Sequence, residues 1–504
     1  MAKADSLHNK PFWQSREYGK YQDVKYILLD DDLLPDIIAY SHQYWGWSAP
    51  ELEIFINQGG YYSQDPTYTV SLPGNGIGFY DRMKIIDVDN DGDSDVSIYN
   101  ENAFYIYKNN NGYLSSTPTQ TLNIYCTGYS WGNLNNDQYP DLAIRQYGGS
   151  EPNRVYLNNG GVINDTPEWT GLSSGNQGQG VVWVDYDIDG DEDIIFGNEL
   201  FINNNGVIGS NVFDFTDYSN NTQNITYGNI DSDPFPEIAF SSEFHNGSRN
   251  TIWDYDGASG FTVVWSSDIN PSRDIKLVDV DGDGDQDCYL STAVFGGDGS
   301  QGHLPRPNYI FFNVAGQIQS MPGWASSEAK YTLNSDWADY DNDGDLDLLT
   351  ASGYSQVWDK IELFVNADYS LNLYPIIIDV FPANNAKSID DDAVIDLWIS
   401  PNIEGASVNN GIVMMGSISG AINYNYIQDV PGNIQIYPLN NFSFSEDITI
   451  TITSELTTIN GISNPQQQQI SYTVETNDAN QYLLSTPFWQ SREYGKYQDV
   501  KYIL

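Results

Sequence analysis

Residues Asp87–Asp95 read DVDNDGDSD, and the same nine-residue figure returns as DYDIDGDED at Asp185–Asp193, DVDGDGDQD at Asp279–Asp287 and DYDNDGDLD at Asp339–Asp347. Acids fill every odd position: Asp87, Asp89, Asp91, Asp93 and Asp95; Asp185, Asp187, Asp189, Asp191 and Asp193; Asp279, Asp281, Asp283, Asp285 and Asp287; Asp339, Asp341, Asp343, Asp345 and Asp347. Like charges this close are costly unless a cation sits among them. Alternate positions of a tight loop can point several oxygens inward. A glycine at position 6 (Gly92, Gly190, Gly284, Gly344) allows the sharp turn without a Cβ clash. Position 7 is then expected to offer its backbone carbonyl and position 9 to close the shell, the logic of an EF-hand loop compressed into nine residues. Oxygen donors without His or Cys point to Ca²⁺ rather than zinc or copper. Mg²⁺ suits them less, because it takes six tight ligands and keeps its waters. A single loop of this kind is also an ordinary Asx-rich turn; four in phase with a strand repeat are a metal signal.

Three looser copies complete the series. Asn133, Asn135, Asp137 and Asp141 form one, and Asn229, Asp231, Asp233 and Glu237 another. The earliest has Leu28 at its first position, followed by Asp30, Asp32 and Asp36. First positions recur at intervals of 44 to 60 residues. A β-rich stretch precedes each loop, and an apolar one such as DIIAY, DVSIY or DLAIR follows. A third stretch often ends in Asn (LEIFIN, FYIYKN, VYLN, LFIN, YIFFN, LFVN), and Pro-x-Trp at Pro11, Pro167 and Pro322 marks a fourth. Four short strands per repeat, seven times over, predict an all-β chain with a seven-bladed β-propeller across residues 11–374. Radial closure leaves only short, protected sheet edges.

Composition agrees with that class. The 504 residues include 37 Tyr, 13 Trp and 44 Gly, a strand- and turn-forming bias. The 69 acids against 20 Lys and Arg give a formal charge of −49, which repels phosphate backbones and argues against a nucleic-acid partner. No apolar run approaches the ~20 residues of a membrane span. Cys126 and Cys288 are far apart in sequence and read as buried free thiols. Met1–Lys10 lacks the apolar core of a secretory signal and reads as a leader or tag. No GxSxG, HExxH or phosphate-loop motif occurs, so a non-enzymatic role is expected.

The acidic loops and their flanking strands resemble the FG-GAP/VCBS repeat family, which includes the integrin α-subunit propeller and many bacterial surface proteins. The resemblance implies calcium in the hairpin between the first two strands of each blade, mainly as a structural ion. It does not imply one function. From Pro375 the texture changes to evenly spaced short strands, which predict a C-terminal Ig-like β-sandwich over residues 375–476. The stretch PIIIDVFPANNA (Pro375–Ala386) and DITITIT (Asp447–Thr453) resemble the SbsA-type bacterial Ig-like domain, a spacer or stalk element.

Residues 477–504 read as a linker plus a duplicate: Pro487–Leu504 repeats Pro11–Leu28 letter for letter, PFWQSREYGKYQDVKYIL. Either a cloning artefact or one period of a tandem array accounts for it. In the second case the copies compete for one place in the first blade, and one can be donated to a neighbouring molecule, giving a head-to-tail fibre.

Loops between second and third strands are expected on the face opposite the acidic hairpins. They carry Trp45, Trp47, His245, Arg249, His303, Arg306 and Trp358, with His42, Arg154 and Lys360 nearby. Aromatic platforms and cations suit a glycan or an acidic ligand, although long polar loops carry such residues anyway. The reading is a secreted or cell-surface, calcium-binding adhesion or structural module, one unit of a tandem or head-to-tail fibre. The alternative is a glycan-binding lectin or a carbohydrate-active enzyme subunit.

Overall fold

A computed structural model describes residues 7–475 except 8, 17–20, 31, 42–49, 61, 75–82, 101–102, 146–151, 172–178, 216–221, 232, 243–248, 258–259, 268–271, 295–303, 343, 355–356, 367–376, 383–385, 400–402, 431–432, 458–462 and 464–467. The chain divides into two compact units, 1–372 and 373–504.

Among the described residues, the first unit is a succession of seven antiparallel sheets. Sheet 1 pairs Tyr21–Ile27, Asp36–Ser41, Glu51–Phe55 and Tyr68–Ser71; sheet 2 pairs Met83–Ile86, Asp95–Asn100, Ala103–Tyr107 and Gln120–Leu122. Sheet 3 comprises Gly128–Gly132, Asp141–Arg145, Arg154–Tyr156 and Trp169–Thr170, and sheet 4 Val181–Val184, Asp193–Phe196, Glu199–Asn204 and Val207–Asp214. Sheet 5 has Thr222–Gly228, Glu237–Ser242, Asn250–Tyr255 and Phe261–Ser267; sheet 6 has Ser272–Val278, Asp287–Val294, Tyr309–Phe311 and Trp324–Ala325, with Leu304–Pro305 as an extra strand. Sheet 7 has Thr332–Ala338, Asp347–Tyr354 and Val357–Phe364, and its fourth strand is Trp13–Gln14 from the start of the chain.

Second strands are apolar without alternation because both of their faces are covered by neighbouring sheets. Ile37, Ile38, Ala39 and Tyr40 are all fully buried. The apolar clusters therefore straddle the joints. Ile38 packs with Val96, Phe104 with Leu142, Val155 with Trp183, Ile195 with Phe240, Ile252 with Cys288, and Tyr289 with Leu348. At the last joint the first strand of sheet 1 packs against that of sheet 7. Trp13 there lies 5.4 Å from Phe55 and 5.7 Å from Tyr62. Each sheet thus packs on the next, and the seventh on the first.

The duplicated segment has a different place from the one expected. Residues 11–28 are not only the opening strand of sheet 1: they also supply the closing strand of sheet 7, because Trp13 and Gln14 pair with Leu363 and Glu362. Leu7 and Asn9, within the segment expected to be a leader or tag, pack against sheets 6 and 7. Leu7 is buried, bridges Asn366 and accepts a 2.9 Å hydrogen bond from Trp324 Nε1, while Asn9 O accepts the amide of Ser327. The second copy, Pro487–Leu504, lies outside the described residues. Cys126 and Cys288 are free and buried.

Among the described residues, the second unit holds two sheets. One pairs Ile377–Phe381, Ile395–Ile399, Asn433–Pro438 and Tyr424–Val430; the other joins Lys387–Ile389, Gln468–Val474, Asp447–Ile452, Ile412–Gly416 and Gly420–Ala421. In the alternating DITITI strand, Ile448, Ile450 and Ile452 turn inward and meet Leu397, Ile434 and Ile436 from the opposite sheet. Among the described residues, no helix is long and apolar enough to cross a membrane.

Candidate metal centres

Each acidic loop is the hairpin between the first and second strands of its sheet. In the second loop Asp87 folds the turn around itself: its two oxygens accept the amides of Asp91 (3.1 Å) and Gly92 (2.9 Å). Asp185 does the same with Asp189 and Gly190. The glycines at position 6 have φ of 93° to 96° and open space where a Cβ would stand. Their requirement is therefore backbone conformation, not close approach.

Five loops bring three carboxylates together, with one ligand atom from each within 4.8 Å of the others. These are Asp87, Asp89 and Asp95; Asp185, Asp187 and Asp193; Asp231, Asp233 and Glu237; Asp279, Asp281 and Asp287; and Asp339, Asp341 and Asp347. In the four complete loops the converging positions are 1, 3 and 9. Positions 5 and 7 stand outside these groups. Asp91, Asp189 and Asp283 each accept the amide two residues ahead. Asp191 is taken up by Asn136 Nδ2 and the amide of Asn205. Asp93, Asp285 and Asp345 belong to none of the groups, and Asp343 lies outside the described residues.

Among the described residues, the first and third loops show no such group. In the first, Asp30 and Asp32 cap the amides of Asp32 and Leu34. In the third, amides take the cation's part: Asn133 Nδ2 donates to the carbonyl of Asp137, and Asn135 Nδ2 to its carboxylate (2.9 Å).

The position-9 acids are buried and do a second job. In all but Asp193 one oxygen accepts the amide of position 2, as Asp95 does from Val88 and Asp141 from Leu134. The other accepts a backbone amide from the end of the third strand: Asn57 to Asp36, Asn109 to Asp95, Asn158 to Asp141, Asn203 to Asp193, Asn313 to Asp287 and Asn366 to Asp347. The side chain of that asparagine then crosses the joint and donates to the position-2 carbonyl of the preceding sheet's loop. Asn109 reaches Leu29 O (2.8 Å), Asn158 reaches Val88 O (2.7 Å), Asn203 reaches Leu134 O (3.0 Å) and Asn313 reaches Ile230 O (2.6 Å). Asn366 reaches Val280 O (2.5 Å), and Asn57 closes the series onto Tyr340 O of sheet 7 (2.7 Å). Sheet 5 alone has Tyr255 at this register, packed edge-on 5.1 Å from Tyr186 of sheet 4. The stretches ending in Asn carried this signal in the sequence, but which carbonyl each one meets requires the fold.

Glycines bring the hairpins close. A Cβ on Gly161 (φ 83°) would collide with the Cβ of Asp89, and one on Gly316 would come within 3.1 Å of Asp231 Cβ. Each is a position-3 acid of the preceding sheet.

Burial raises the carboxyls above their ordinary range, partly offset by the amides they accept. Asp36, Asp193, Asp287 and Glu237 are pushed up to about 7, and Asp95 and Asp141 to about 6. Asp254, on the third strand of sheet 5, is also raised, by burial first and then by Asp233, Asp231 and Asp256. Several buried acid oxygens accept no hydrogen bond: Asp89 Oδ1, Asp187 Oδ1, Asp193 Oδ2, Asp281 Oδ2 and Glu237 Oε1. Orphaned carboxylate oxygens are costly by themselves and are the donors that a hard divalent cation takes. The residues present fit such an ion.

Of the expected ligand face, Trp45, Trp47, His42, His245 and His303 lie outside the described residues. Arg249 is exposed, Arg306 pairs through its backbone with Lys330, and Trp358 sits on the third strand of sheet 7 opposite Gly353. Arg154 is on the third strand of sheet 3, and the amide of Lys360 donates to Asp359. The described residues bring none of these together.

Models of the FG-GAP-like repeat match residues 87–144, 133–196 and 279–350, and the bacterial Ig-like domain matches 372–474. The chain thus contains FG-GAP-like repeats followed by a bacterial Ig-like domain, a combination that fits an extracellular structural module. No curated protein sequence matches it. Among solved structures, an Agrocybe aegerita lectin described as recognising non-reducing terminal N-acetylglucosamine is similar at 14% identity and TM-score 0.41, over 61% of this chain and 81% of the lectin. The V. cholerae biofilm matrix protein Bap1 is similar at 10% identity and TM-score 0.34, over 92% of this chain and 76% of Bap1. The N-terminal part of the bacterial S-layer protein SbsC is similar at 9% and 0.17, over 20% and 24%.

Proposed function

We propose that the seven sheets are the blades of a closed β-propeller, that its acidic hairpins hold calcium, and that the chain is a secreted or cell-surface adhesion or structural module without catalytic activity. One observation carries this reading: three-carboxylate groups recur at the same hairpin of sheets 2, 4, 5, 6 and 7, each with a buried position-9 acid, which in sheets 2, 4, 6 and 7 also anchors the joint between sheets. A calcium ion would lock the loop to the second strand of its own blade and, through the asparagine, to the next blade. Extracellular modules bind calcium at ~10⁻⁴–10⁻³ M, so a ~0.1 mM site in millimolar calcium adds about 1.4 kcal/mol. Several such ions rival the 5–15 kcal/mol that holds an ordinary domain together. Depleting calcium is expected to lower the melting temperature substantially; an unchanged melting curve sinks the reading.

The same reading includes head-to-tail association. Residues 11–28 supply one strand to sheet 7 and one to sheet 1, and Pro487–Leu504 repeats their sequence letter for letter, as donation to a second copy requires. Light scattering of the full chain against a variant lacking Pro487–Leu504 tests it. An unchanged oligomeric state ends the donation idea and leaves the calcium reading intact.

A further inference from the structure

We infer that Asp254 is an additional ligand of the cation at the loop of sheet 5, supplying from the third strand the carboxylate that the loop's first position has lost. The inference rests on the calcium reading above. In every sheet, the residue just before the joint asparagine or its equivalent stands opposite the position-9 acid. It is apolar in five sheets: Ile56, Leu157, Ile202, Phe312 and Val365. The exceptions are Lys108 in sheet 2 and Asp254 in sheet 5. Lys108 shows that a side chain at this register points toward the loop, because its ammonium lies 2.5 Å from Asp89, the position-3 acid; the shorter Asp254 stands beside the group of Asp231, Asp233 and Glu237 without belonging to it. In sheet 5 the loop's first position is Asn229, and its amide is turned onto the carbonyl of Asp233 at 2.6 Å. Only Asp231, Asp233 and Glu237 of the loop remain as acids.

Two further facts point to a cation. Glu237 is fully buried, its Oε1 has no hydrogen-bond partner, and it converges with Asp231 and Asp233 within 4.8 Å. Asp254 Oδ1 is likewise shut away from solvent without a partner. Unpaired buried acid oxygens set beside two further carboxylates are unfavourable unless a positive ion joins them. Oxygen-only donors define that ion as a hard divalent cation. A loop with an amide at position 1 thereby regains its fourth acid from outside the nine-residue figure. Loop 3, with Asn133 at position 1 and Leu157 at the reaching register, has no such replacement.

The test uses the full chain crystallised with terbium, whose anomalous signal reports occupancy loop by loop. Wild type is expected to show terbium at sheet 5. D254N is expected to lose it there, with affinity down by at least the about 10- to 100-fold that follows loss of a supporting group, and to keep it elsewhere. Adding N229D to D254N is expected to restore the ion. Circular dichroism without calcium should find D254N at least as stable as wild type, which separates loss of a ligand from loss of fold. Undiminished terbium at sheet 5 in D254N overturns the role of Asp254 while leaving the calcium reading standing. Absence of terbium from every loop of wild type overturns both.

Discussion

Titration of the calcium-depleted protein is expected to destabilise it as the pH rises, the reverse of its behaviour with calcium. Burial holds the carboxyls of Asp193 and Asp287 at about 7 in the folded chain, against an ordinary 3.8. Below about pH 4 these groups are protonated in both folded and unfolded chains, and burial carries no charge penalty. Between about pH 4 and 7 the unfolded chain ionises while the folded chain keeps its protons, so stability falls as the pH climbs. Each tenfold difference in proton affinity between the two states is worth about 1.4 kcal/mol, so Asp193 alone loses on the order of 4 kcal/mol across the window, less whatever relaxation and water entry recover. A bound calcium ion reverses the sign. Its ligands must be deprotonated, so their folded-state values drop below the unfolded ones, and stability is lost as the pH falls. Urea melts followed by circular dichroism at pH 5 and pH 8, with calcium and after its removal, give four free energies. Slopes of opposite sign are expected. The same sign in both conditions refutes the argument that these acids are buried around a cation.

Other outcomes follow from single contacts. Asn158→Ala removes the donor to Val88 O and the acceptor for the amide of Gly161, both buried. It is expected to lower stability by about 2–3 kcal/mol and to weaken calcium at the loop of sheet 2, although Asn158 belongs to sheet 3. Gly161→Ala meets both a positive φ and the side chain of Asp89, whereas Gly92→Ala meets only the positive φ. The first should lower the melting temperature more than the second, whose cost is about 1–2 kcal/mol. Trp13→Ala empties a site that is 2% exposed between sheets 7 and 1 and is expected to cost about 3–5 kcal/mol in chemical denaturation. Cys126 and Cys288 are buried, and burial pushes the Cys288 thiol well up. Both should stay unreactive toward a disulfide reagent until the protein unfolds.

The loops themselves were legible because a fixed spacing of acids and one glycine leaves few ways to fold. Runs such as DIIAY were legible as apolar strands, while the covering of both their faces needed the fold. The split of residues 11–28 between two sheets was half legible: Pro-x-Trp at Pro11 marked a fourth strand, but its partner, Leu363, is hundreds of residues away. The division of labour among the acids was not legible. Positions 5 and 7 carry the same side chain as positions 1, 3 and 9, yet among the described residues of the complete loops the converging groups draw on 1, 3 and 9 alone. The joint asparagines were visible only as recurrent strand endings, because their acceptors belong to the preceding repeat. Asp254 gave no signal of its own, because it lies outside the nine-residue figure and is separated from its loop by a whole strand.

The most direct test of calcium as the element that holds these sheets together is a count of bound ions by native mass spectrometry, paired with thermal melts before and after calcium removal. Ions at the five loops where three acids converge, and a fall in melting temperature on the order of 10 °C on their removal, are the expected result. A chain that binds no calcium at millimolar concentration, or melts at the same temperature with and without it, contradicts the account.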